Sequence, residues 1–102
     1  MADIIKFPVS DKMRLIGELT DAFVAAGYTC TPSKEKILHG GVSFMVDGVK
    51  QEAWYNSNCA TFHAEVNYRS GGSFELSTRC ADDGATRLVV AFQKALNLTL
   101  EL

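Results

Sequence analysis

A chain of 102 residues, 47% hydrophobic, 22% charged and with a formal net charge of -2, lies outside the low-hydrophobicity, high-charge regime of disordered chains and has the size of one domain with its own core. Ten Lys and Arg dispersed among twelve Asp and Glu leave no basic stripe to neutralise a row of phosphates, so direct nucleic-acid binding is not expected. Three widely spaced cysteines, Cys30, Cys59 and Cys80, make no disulfide framework, and no apolar run reaches signal-peptide or membrane-span length; the expectation is a cytoplasmic protein with reduced thiols and no membrane partner.

Between Ser10 and Ala26, the residues Met13, Ile16, Leu19, Phe23 and Ala26 recur three or four apart, which predicts an amphipathic helix. Ser10 or Asp11 can cap it, and Gly27 can stop it. Tyr28 to Gly41 reads as a connection: Thr29-Cys30-Thr31-Pro32 extended, Ser33-Lys34-Glu35-Lys36 a turn, and Gly40-Gly41 a break.

Four stretches of alternating apolar and polar residues follow, joined by three short turns. Asp47-Gly48 is a two-residue hairpin turn that sets Val46 opposite Val49, Met45 opposite Lys50 and Phe44 opposite Gln51. Reading Asn56-Ser57-Asn58-Cys59 as a four-residue loop sets Tyr55 opposite Ala60 and Ala53 opposite Phe62; a three-residue loop would put Phe62 against Glu52. A turn at Ser70-Gly71-Gly72 sets Arg69 opposite Ser73, Tyr68 opposite Phe74 and Val66 opposite Leu76. From a cap at Asp82 or Asp83, a second helix is predicted to about Leu96, with Leu88, Phe92 and Ala95 on one stripe and Val89 and Leu96 beside it. Ile5 to Val9 and Leu98 to Leu102 return to alternation, so both ends read as short edge strands, through which a homodimer is possible. The predicted fold is a single α+β domain over residues 1–102. It is a two-layer sandwich in which a four-stranded antiparallel meander is flanked by an N-terminal and a C-terminal helix.

With both helices on the face bearing Phe44, Val46, Val49, Ala53, Phe62, Val66, Phe74 and Leu76, the other face carries Met45, Lys50, Glu52, Trp54, His63, Glu65 and Arg79. The expected register puts Glu52 opposite His63, His63 opposite Arg79 and Trp54 opposite Thr61, gathering an aromatic, an acid, an imidazole and a guanidinium in one patch. The ordinary reading of such a patch is a wetted sheet face, its charge pairs worth about 0.2 to 1 kcal/mol each. A large aromatic there, with Met45 nearby, argues instead for a protein partner, because aromatics are enriched at interface hot spots.

Cys59 and His63 are four apart and Cys30, His39 and Cys80 are further soft donors, but no paired metal-ligand motif occurs, so neither metal nor cofactor is expected. No nucleophile motif or phosphate loop stands out either, and no catalytic residue is assigned. The alternatives are a small-molecule or metal-binding enzyme using His63, Glu52 and Cys59, and a self-associating structural protein.

The helix, sheet, helix layout and the opening Ile4-Ile5-Lys6-Phe7-Pro8 are similar to those of small accessory proteins of bacteriophages and mobile elements. The resemblance implies a class that binds a host or defence complex and blocks it without chemistry of its own, anti-CRISPR inhibitors being one example. It implies no role for any particular residue.

Overall fold

A computed structural model of the chain describes residues 11–33, 40–56, 58–81 and 83–99. In order these form α1 (Asp11–Ala25), β1 (Thr31–Ser33), β2 (Gly41–Val46), β3 (Val49–Asn56), β4 (Thr61–Asn67), β5 (Ser73–Arg79) and α2 (Gly84–Thr99). The result is an α+β fold in which one antiparallel sheet of order β1-β2-β3-β4-β5 lies between two helices in the chain.

In α1 the buried stripe is Leu15, Leu19 and Phe23, with Ile16, Ala22 and Ala26 half-buried beside it. The expected stripe is rotated accordingly, and Met13 is 63% exposed. The helix stops at Gly27, whose φ of 103° is costly for any side-chain-bearing residue. Its N–H donates to the Val24 carbonyl (2.9 Å) and the Tyr28 N–H to the Phe23 carbonyl (3.2 Å), which satisfies carbonyls that would otherwise lack partners.

α2 is capped at Asp83, whose carbonyl accepts the Arg87 N–H (2.9 Å). It buries Ala85, Leu88, Val89, Phe92 and Leu96. It runs to Thr99 rather than ending near Leu96, so Leu98 and Thr99 are helical and not part of a terminal strand. Residues 100–102 and the expected strand at Ile5 to Val9 lie outside the described residues.

Among the described residues the sheet has five strands, where four are expected. The extended segment after α1 pairs with β2, Thr31 opposite Ser43 and Pro32 opposite Val42. Proline cannot donate to a ladder, which confines such a strand to the edge. Between β2 and β3 the register agrees with the Asp47-Gly48 turn, Val46 opposite Val49 and Phe44 opposite Gln51.

The next two registers differ from expectation by two residues each. Ala53 faces Ala64 and Tyr55 faces Phe62, because the four-residue loop lies between Asn56 and Thr61, one position later. Asn56 stays in the strand while its Oδ1 accepts the Asn58 N–H (2.9 Å), an Asx turn that starts the loop. Likewise the Tyr68 N–H donates to the Gly72 carbonyl (2.8 Å), so the last turn is Arg69-Ser70-Gly71, with Gly71 at φ 105°. Val66 therefore faces Phe74, and Ala64 faces Leu76. A two-residue slip changes every cross-strand neighbour and no facing.

Both helices cover the predicted apolar face. Leu19, Phe23, Leu88 and Phe92 pack on Phe44, Ala53, Phe62, Ala64 and Val66, and the Phe23 ring lies 4.9 Å from Phe44 and 5.6 Å from Phe92. Full burial of each such side chain contributes about 1.5 to 3 kcal/mol.

One polar residue enters this layer. Gln51, 1% exposed, donates from Nε2 to the Asn67 carbonyl (2.9 Å) and accepts the Asn67 N–H at Oε1 (2.7 Å). The β3–β4 pairing ends at Glu52 and Glu65, and beyond it this side chain stands in for a main-chain partner.

Candidate partner-binding face

Strand alternation turns Met45, Lys50, Glu52, Trp54, His63, Glu65 and Arg79 away from the helices, as the sequence predicts. The rows they form differ. Glu52 faces Glu65, which faces Glu75; Trp54 lies between Gly41 and His63, and His63 faces Ser77; Thr61 lies between Asn56 and Arg79. The expected Glu52–His63–Arg79 row does not exist, because each register is displaced by two.

The first row sets three carboxylates across adjacent strands, a repulsive arrangement by itself. Lys50 offsets it with Nζ 4.0 Å from a Glu52 oxygen. A protonated His63 would add a second positive charge, since its Nδ1 is 3.8 Å from a Glu75 oxygen.

Trp54 is not the exposed anchor the sequence suggests. It is 7% exposed and Glu52 6%, although neither belongs to the core under the helices. Gly41 opposite Trp54 lets the two strands approach closely there. A Cβ at Gly41 would run into the Ala53 carbonyl oxygen and come within 2.8 Å of Trp54 Cβ, so only glycine leaves this space. On the other side the indole stacks on the His63 imidazole, centroids 5.5 Å apart and planes at 10°. The indole is thus a component of the sheet face, with little surface left for a partner.

What does stay exposed is Met45 at 59%, together with Lys50, Glu75, Ser77 and Arg79; Glu65 is half-buried. Met45 and Lys50 line, with Tyr28, Thr31, Ser43 and Phe44, an open cleft of about 510 Å³ at the β1 end of the sheet.

His63 also ends a chain of polar contacts. Its Nε2 is 2.6 Å from Thr61 Oγ1, which is 2.9 Å from the Sγ of exposed Cys59. Among the described residues the buried Nδ1 has no hydrogen-bond partner. Sequence reasoning grouped Cys59 and His63 with Glu52; the structure links them through Thr61 and puts Glu75 nearest the far nitrogen. The spacing of Thr61 and His63 by two, which puts both on one face of β4, was the available signal for Thr61.

The other thiols are poorly disposed to ionise. Burial pushes the Cys30 thiol up, and burial, followed by the charges of Glu18 and Cys59, pushes Cys80 up to about 11. Cys80 packs on the core as expected, but beside Ala60, whose carbonyl accepts its N–H (2.9 Å), rather than opposite Phe62. Among the described residues no three His, Cys, Asp or Glu side chains are placed to hold a metal ion; His39 lies outside them. Nor is any helix among them long and apolar enough to cross a membrane.

No protein-family model, curated protein or solved structure matches this chain.

Proposed function

We propose that this chain is a non-enzymatic binding protein that docks through the sheet face away from its helices on a protein of a host or defence complex and blocks it, in the manner of a phage or mobile-element inhibitor. The observation that carries the reading is Met45. It is a large apolar side chain, 59% exposed, on the rim of the 510 Å³ cleft and flanked by Lys50, and an exposed apolar contact ringed by polar groups is the usual anatomy of an interaction site. Glu75 and Arg79 extend the face towards β5 as its charged rim. The test is affinity capture from the native host with wild-type, Met45→Asp and Val90→Asp baits, Val90 being 54% exposed on α2. Loss of the captured protein with Met45→Asp alone is expected; equal capture by both variants refutes the reading.

A second reading draws on the Cys59–Thr61–His63 contacts. In a thiol enzyme acting on a small electrophile, the Cys59 proton would pass to the Thr61 hydroxyl and the hydroxyl proton to His63 Nε2. Thr61→Val would then slow alkylation of Cys59, and an unchanged rate would end that reading.

A further inference from the structure

β5 is the outer strand of the sheet, and no strand among the described residues pairs with its free side. The phase of its backbone follows from two bonds. The Cys80 N–H donates to Ala60 and the Gly72 carbonyl accepts from Tyr68, so even-numbered residues of β5 turn their N–H and C=O groups towards β4. Antiparallel geometry then turns those of Ser73, Glu75, Ser77 and Arg79 outward. Edge strands are commonly blunted by charge, because an inserted like charge blocks a second strand. Here the two charges are of opposite sign and four residues apart, a pattern that complements itself when the strand meets an antiparallel copy.

We propose that two copies of this chain pair β5 with β5 about a two-fold axis through Ser77, joining the two sheets into one. In that register Glu75 lies opposite Arg79 of the second copy and Arg79 opposite its Glu75, twice per dimer. An axis at Glu75 or at Arg79 would oppose like charges. An axis at Leu76 or Thr78 would set each charge against Ser73, Ser77 or Ala81. Charge complementarity therefore selects the Ser77 axis alone. The outward groups of Glu75 and Ser77 and the N–H of Arg79 supply about four main-chain hydrogen bonds, the Arg79 carbonyl being closely approached by Gly84 of its own chain, and on the helix side Leu76 and Phe74, both half-buried, gain Thr78 and Cys80 of the second copy as neighbours. Such an isologous contact closes on itself and does not propagate into a fibre. This inference does not rest on the docking reading, which is carried by Met45 at the β1 end of the sheet; Glu75 and Arg79, the rim of that face, are drawn into the dimer, and sedimentation reads their pairing with no other protein present.

Sedimentation of the full chain over a concentration series tests it. The wild type is expected at twice the 11.1 kDa chain mass. Arg79→Glu and Glu75→Arg should each weaken association on the order of tenfold or more, by opposing like charges at both pairs, and the double exchange should restore it. Because the hydrogen-bonded pair on the axis has Cα atoms about 5.5 Å apart, within disulfide range, Ser77→Cys in a Cys59→Ser background should form an intermolecular disulfide and Ser73→Cys should not. A wild type that stays monomeric, a dimer indifferent to all three charge variants, or crosslinking through Ser73→Cys in place of Ser77→Cys overturns the proposal.

Discussion

Replacing Gln51 by Met keeps the length of the side chain and removes both of its hydrogen bonds, at 2.9 and 2.7 Å to the Asn67 carbonyl and N–H. Two net hydrogen bonds are worth about 0.5 to 1.5 kcal/mol each, and each main-chain group left buried without a partner adds a penalty of about 1 to 3 kcal/mol. Asn67 is only half-buried, so water recovers part of that penalty. The Gln51 amide, 1% exposed, no longer has to be desolvated in the variant, which offsets the loss further. The expected destabilisation is about 2 to 4 kcal/mol, a large share of the roughly 5 to 15 kcal/mol that holds such domains folded. Urea denaturation measures it: the midpoint should fall with the slope unchanged. Hydrogen exchange gives a local readout, because the Asn67 amide should lose protection while that of Ala64, in the middle of β4, keeps it. A loss below about 0.5 kcal/mol, with Asn67 still protected, would refute the reasoning and show that the β3–β4 junction closes without this side chain.

Gly41→Ala should cost about 1 to 3 kcal/mol, since the added methyl meets the Ala53 carbonyl and Trp54 Cβ. The fluorescence of Trp54, the single tryptophan, should shift to the red as the indole is displaced, and an unchanged spectrum would contradict the packing described. The stability linked to the Cys80 thiol has a definite sign. With its folded value near 11 against 9.0 in the unfolded chain, the unfolded state gives up the proton first, so this stability is intact below about pH 9 and is lost as pH rises towards 11. Thermal unfolding across that window should show the loss, and Cys80→Ala should lessen it. At pH 8 only about one Cys80 thiol in a thousand is ionised, so mass spectrometry after iodoacetamide treatment should find exposed Cys59 labelled well before Cys80.

The facing of the sheet was legible because alternation has a period of two, and the errors in register were also of two. Phe62 and Val66 point to the helices whether the loop begins at Asn56 or one residue later. Cross-strand neighbours were not legible, since Asn56 is the last residue of β3 although composition assigns it to a loop, and Arg69 lies in the turn although alternation assigns it to a strand. β1 escaped because three residues with a central Pro32 carry no pattern. The burial of Trp54 was not legible: the Asp47-Gly48 turn, continued to the start of β2, puts Gly41 opposite it, but that glycine marks a close approach of the two backbones, and alternation assigns the indole only to the face away from the helices.

The spatial order of the strands repeats their order along the chain, so each can be laid against its predecessor by closing a loop of only a few residues. The entropic cost of bringing distant segments together is concentrated in one contact, that of Phe23 with Phe92, where helices from either side of the meander touch over the sheet.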